Sequence, residues 1–105
     1  MEEPNLNYVN TLADGNQEFL NEFIAIIKKE YPGEVETYNK GVSTKNHIAT
    51  ADIVHKLKHK FNILGLEKAY GLAVTYENEL REGNFKLDSD FKRILDKITS
   101  YLKTI

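Results

Sequence analysis

Residues 51–66, ADIVHKLKHKFNILGL, decide how the chain folds. At about 100° of rotation per residue, Ile53, Val54, Leu57, Phe61 and Leu64 fall on one face, the apolar stripe of a helix packed on a core. Gly65 ends the stripe, as glycine does just past a helix where the chain turns left-handed. His55 points almost directly away from the stripe. Asp52, Lys58, His59 and Asn62 stand three, four or seven residues from it and are its neighbours on the helix surface.

On either side, apolar residues recur at spacings of three and four, and no stretch alternates long enough to argue for a strand. Pro4, Gly15, Pro32 with Gly33, Gly41, Gly65 and Gly83 fall where the period resets, Gly71 being the exception. Leu6, Val9 and Leu12 make a short opening helix stopped at Asp14-Gly15. Residues 16 to 31 place Phe19, Leu20, Phe23, Ile24, Ile26 and Ile27 on one broad face for a core helix to bury. Pro32 suits the first turn of a new helix better than an interior, so the chain is expected to bend there and continue with Val35, Tyr38 and Val42 inward. Ser43, Thr44 or Asn46 caps the next helix, which runs to about Leu64. Residues 67 to 82 turn Ala69, Leu72, Ala73, Tyr76 and Leu80 inward, and Gly83-Asn84 stops them. Asp88 or Ser89 starts the last helix, striped by Phe91, Ile94, Leu95, Ile98, Tyr101 and Leu102. The expected fold is all-α, an antiparallel four-helix bundle with a short extra N-terminal helix and a Pro-bent connecting helix, with residues 1–105 as one domain.

Composition excludes more than it selects. The 105 residues hold 14 Lys plus Arg against 16 Asp plus Glu, for a net charge of -2, with three His and no Cys. Without Cys there is no disulfide framework, thiolate nucleophile or zinc finger. The charge lacks the basic excess of a general nucleic-acid binder. No apolar run reaches the roughly 18 residues of a membrane span, and MEEPNLNYVN is not a signal peptide, so a cytoplasmic protein without membrane or nucleic-acid partners is expected. The initial Met and compact ending favour a freestanding chain over the excised end of a larger kinase.

An outward His on a helix is, by itself, a solvated polar residue. Its company here resembles the signature of the histidine-containing phosphotransfer (HPt) domains of bacterial phosphorelays: a His, an apolar residue at plus two, Lys at plus three, usually Gly at plus four, and Leu-Gly at plus nine and ten. This chain has His55, Leu57, Lys58, Leu64 and Gly65 in that register, with His59 where the family has Gly. The resemblance extends over nearly the whole chain. Asp14-Gly15 followed by EFLNEFI is similar to the family's lead into its first long helix, and YENELREGN, with Glu77, Arg81 and Gly83, to its downstream segment.

The resemblance implies that His55 accepts a phosphoryl group from an aspartyl phosphate on a receiver domain and passes it to another receiver's Asp. Imidazole suits that role, being nucleophilic while partly neutral near pH 7. Lys58 would offset phosphoryl charge. Glu77 would either bond the other imidazole nitrogen or pair with Arg81. No cofactor is expected in this chain, the receiver supplying Mg2+, and the absence of GxxxxGK[ST] argues against self-phosphorylation from ATP. The partners expected are receiver domains of response regulators or hybrid kinases, met by a monomer.

Asn62 and Gly65 join His59 as residues that modulate the site. His59 allows three readings: an exposed residue that swings away, a second donor to the phosphoryl group, or a filter on which receivers dock. Ile48, Asp52, Lys56 and Ile63 are candidate receiver contacts, and the lysines around His55 would steer an acidic partner. Lys56 and Lys60 read as solubilising residues and His47 as a packing or capping one. The alternatives are a transfer-inactive HPt-like module that only binds receivers, and a metal-binding helical protein using His55 and His59. No Cys or HExxH accompanies that pair, so no metal site is expected.

Overall fold

The computed structural model describes residues 2–105. The chain forms five helices and, among the described residues, no strand: α1 (Asn7–Ala13), α2 (Gln17–Ser43), α3 (His47–Ile63), α4 (Glu67–Arg81) and α5 (Asp88–Leu102). No helix among the described residues is long and apolar enough to cross a membrane. The boundaries have local causes. Asn16 and Asn46 cap α2 and α3, their side chains accepting from the backbone N–H of Phe19 (3.0 Å) and Ala49 (3.1 Å). The turn after α3 needs a left-handed residue, and Gly65 supplies it with φ +75°.

Pro32 corrects the expectation of a fresh helix: α2 runs unbroken through it for 27 residues. Proline removes one backbone donor from the ladder, here the partner of the Lys28 carbonyl, and it sits on the exposed side of the helix where water can serve that carbonyl. Tyr31 and Tyr38, on either side of it, are both anchored in the core at 1% exposure or less. Their burial holds the segment helical against the local cost.

α3 packs on α2 and α4, and α5 closes against α2 and α4. Phe91 of α5 sits among aromatic rings from three other helices, its centroid 4.8 Å from Tyr38, 5.4 Å from Phe61 and 5.3 Å from Tyr76. Leu57, Leu64, Leu80 and Ile98 fill the rest of this fully buried layer. Hydroxyl groups taken inside must find partners. Tyr38 donates to Asp88, Tyr76 lies 2.7 Å from the Tyr38 oxygen, and Tyr31 donates to the Leu95 carbonyl at 2.8 Å.

The apolar face expected for residues 16 to 31 is only partly buried. Ile27 is in the core, but Phe19 is 39% and Ile26 55% exposed, and Leu12 and Tyr8 of α1 are exposed as well. The cause is length. At 1.5 Å per residue α2 is about 40 Å long, close to the 44 Å longest dimension of the molecule, whereas α3 has 17 residues. The first turns of α2 outrun it, and seven-residue α1 covers them on one side through Val9 and Ala13.

The segment before α1 is tied to the helices by contacts across the whole sequence. The Glu2 carboxylate accepts from the backbone N–H of Lys68 (2.8 Å) and Ala69 (3.1 Å), capping α4, whose own N-cap residue, Leu66, provides no side-chain bond. Lys97 of α5 donates to the Glu2 carbonyl at 2.8 Å and pairs with Glu3 at 2.9 Å. Asn5 N–H donates to the Leu64 carbonyl at 2.9 Å. A Cβ on Gly65 would lie 2.5 Å from the Asn5 amide nitrogen.

Candidate functional site

The α2–α3 turn sets where α3 begins. Gly41 lets Thr50 approach α2 so closely that a Cβ there would overlap its hydroxyl, and Thr50 Oγ1, fully buried, donates to the Asn46 carbonyl at 2.7 Å. With α3 placed, Val54, Leu57 and Phe61 face the core and His55 faces outward, its side chain 50% exposed. His47, at the start of α3, directs Nδ1 to the Leu80 carbonyl at 2.8 Å, which fastens α3 to α4. That agrees with a packing role.

Glu77 projects from α4 toward α3 and collects three cations or potential cations. Its Oε1 lies 3.1 Å from His55 Nδ1 and 3.1 Å from Lys58 Nζ, and its Oε2 3.2 Å from an Arg81 terminal nitrogen. The same Arg81 nitrogen is 3.3 Å from Asp52 Oδ1. Glu77 therefore bonds the imidazole and Arg81 together, where the sequence left a choice between them. Burial by itself would raise the Glu77 carboxyl; hydrogen bonds from Lys58, His55 and Arg81 outweigh it and hold the group below its ordinary value. It is a carboxylate at neutral pH.

A carboxylate can only accept, so the bond fixes the neutral imidazole with its proton on Nδ1 and its lone pair on Nε2. Nε2 has no protein partner among the described residues, and its ring is half exposed. The arrangement is an oriented nucleophile whose inner nitrogen is held and whose outer nitrogen is open.

His59 is exposed but does not turn away from His55. Its ring stands edge-on to the His55 ring, with centroids 5.2 Å apart and planes at 87°. The exposure expected of His59 is present, and its ring faces His55 in this structure. Lys58 is 14% exposed in its side chain and already engaged with Glu77.

Lys60 also departs from expectation. It is not a solubilising lysine but 8% exposed, with Nζ 2.8 Å from Glu34 and 3.2 Å from Glu30, so it ties α3 to α2. The amphipathic count missed it because a lysine stem can cross apolar surface to reach an acid on a neighbouring helix. Lys56 is exposed, as expected.

Of the other predicted residues, Asp52 joins the cluster through Arg81, and Ile48 is 47% exposed on the outward side of α3. Ile63 is half-buried against the core. The Asn62 side chain makes none of the cluster's hydrogen bonds, and Gly65 shapes the turn rather than the imidazole's surroundings. Arg81 was legible only as a partner of Glu77. Its reach to Asp52 on α3 required the packing of two helices.

Among the described residues, no three His, Cys, Asp or Glu side chains converge as a metal-holding group. No family model, curated protein or solved structure matches this chain.

Proposed function

We propose that this chain is a histidine phosphotransfer protein, its four longer helices forming an antiparallel bundle of the HPt type with α1 as the short extra helix. The observation that carries the reading is the half-exposed imidazole of His55 with Nδ1 on a buried carboxylate and Nε2 open. That is the preparation a phosphoryl acceptor needs, because phosphoryl transfer depends on positioning and electrostatics more than on covalent help.

In this reading, the Nε2 lone pair attacks the phosphorus of a receiver's aspartyl phosphate. The N–P bond forms as the bond from phosphorus to the acyl oxygen breaks, and that electron pair leaves with the aspartate carboxylate. The ring keeps its Nδ1 proton, and Glu77 stabilises the positive charge that develops on it. A second receiver's aspartate attacks the same phosphorus and releases the neutral imidazole. Mg2+ comes with the receiver, and no nucleotide is used.

Lys58 serves the phosphorylated state by leaving Glu77 for the phosphoryl oxygens, with Arg81 remaining on the carboxylate. Lys56, Asp52 and Ile48 present a mixed charged and apolar rim to the receiver. A second reading, a module that binds receivers without accepting phosphate, is favoured by the His59 ring standing against His55, where it narrows the approach.

Incubation with a phosphorylated receiver separates the two. Intact mass should show one acid-labile phosphoryl group on the wild type and none on His55→Gln. Binding without transfer in the wild type, with transfer gained in His59→Gly, would select the second reading.

A further inference from the structure

The pairing of two imidazoles one turn apart makes another chemistry available. We propose that His55 and His59 form a two-imidazole site for a divalent d-block cation of the zinc and copper class, and that the bound ion competes with the phosphoryl group for Nε2 of His55. The site stands on geometry alone; only the competition rests on the phosphotransfer reading.

The ring centroids are 5.2 Å apart. An imidazole nitrogen binds zinc at about 2.0–2.1 Å and lies about 1.1 Å from its own ring centroid, so two rings on one tetrahedral ion have centroids roughly 5 Å apart. The two side chains thus already stand near the chelating separation. The rings stand edge-on at 87°, so chelation requires the exposed His59 ring to turn about χ2, a broad torsional well, and bring a nitrogen toward an ion held by Nε2 of His55.

Glu77 strengthens the site from behind. A metal-bound His ordinarily donates its other ring N–H to a carboxylate, and His55 does so at 3.1 Å before any ion arrives. The nearby cations do not oppose binding fully, because Lys58 and Arg81 are both paired with Glu77. The chain has no Cys to offer a softer alternative, and the third His is engaged elsewhere with the Leu80 carbonyl. With two protein ligands, water completes the coordination, and the preference follows imidazole ligands toward copper and zinc rather than magnesium. Mg2+ brought by a receiver would not fill it.

The test is a titration of the full chain with zinc chloride in a non-coordinating buffer, read by calorimetry and by the imidazole 15N resonances. One equivalent should bind. His59→Ala and His55→Gln should each weaken it by at least about tenfold, Glu77→Gln by about ten- to a hundredfold, and His47→Ala should leave it unchanged. No binding, or binding that survives His59→Ala, would overturn the site. In a parallel arm with saturating Mg2+, zinc should slow phosphoryl loading of the wild type and not of His59→Ala. Loading indifferent to bound zinc would overturn the competition. Loading absent even without zinc would overturn the phosphotransfer reading and the competition with it, while the titration still decides the site.

Discussion

His55 Nδ1 and Glu77 Oε1, carried on α3 and α4, meet at 3.1 Å, so the orientation of the outward imidazole is set by a carboxylate on another helix. Glu77→Gln keeps the shape and removes the charge. Transfer through His55 should slow by about ten- to a hundredfold, as loss of an orienting carboxylate does at comparable histidine sites. Rapid-quench rates from a phosphorylated receiver measure it, and an unchanged rate would remove Glu77 from the mechanism.

The same carboxylate predicts a pH dependence of folding. Its folded value is depressed below the ordinary 4.5, so its contribution to stability is fully present above the unfolded value. It is lost as pH falls through the lower folded value. Urea midpoints measured from neutral to acid pH should show the wild type losing stability in that window relative to Glu77→Gln. Parallel curves for the two proteins would contradict the depressed value.

Lys58 shares Glu77 with His55 in the free protein, 3.1 Å from the same oxygen. Lys58→Ala should lower the phosphorylated fraction by about tenfold, the worth of one charge-assisted hydrogen bond, and Lys58→Arg should recover part of it. The readout is the lifetime and yield of acid-labile phosphate.

Gly65 combines a left-handed backbone, φ +75°, with the Asn5 amide 2.5 Å from where a Cβ would stand. Gly65→Ala should cost about 1–2 kcal/mol from the backbone and more from the contact. Adding Asn5→Gly should recover only the contact part. Chemical denaturation of the single and double variants separates the terms.

Tyr38 is interposed between Tyr76 and Asp88 inside the core. Burial is the main cause that pushes the Tyr76 hydroxyl up to about 12. Tyr38→Phe would leave the Tyr76 hydroxyl without its partner and should destabilise the fold by about 1–3 kcal/mol. A denaturation midpoint that does not move would show the hydroxyl network to be energetically silent.

The helices, a cap for α3 among Ser43, Thr44 and Asn46, the stop at Gly65 and the outward placement of His55 were legible because each depends on residues within a turn or two of one another. Pro32 misled because local proline chemistry was outweighed by Tyr31 and Tyr38, whose burial is tertiary. Phe19 and Ile26 misled for a related reason: periodicity shows which face is apolar, not how far a neighbouring helix extends to cover it. Lys60, Glu2 and the Arg81–Asp52 contact depend on partners 26 to 95 residues away in sequence, a relation no local pattern expresses. The site was half legible on the same principle. His55, Lys58 and His59 share a helix, whereas Glu77 was named only through the family resemblance, and its bond to both His55 and Arg81 depends on the packing of α4 on α3.

The central claim is that His55 receives phosphate on Nε2 while Glu77 retains Nδ1. The most direct measurement is the 1H–15N spectrum of the imidazole nitrogens after loading from a phosphorylated receiver. Phosphorus coupling at Nε2 of His55, with Nδ1 still protonated, is the predicted result. Phosphate on Nδ1, phosphate on His59, or no phosphorylated nitrogen at all would contradict it.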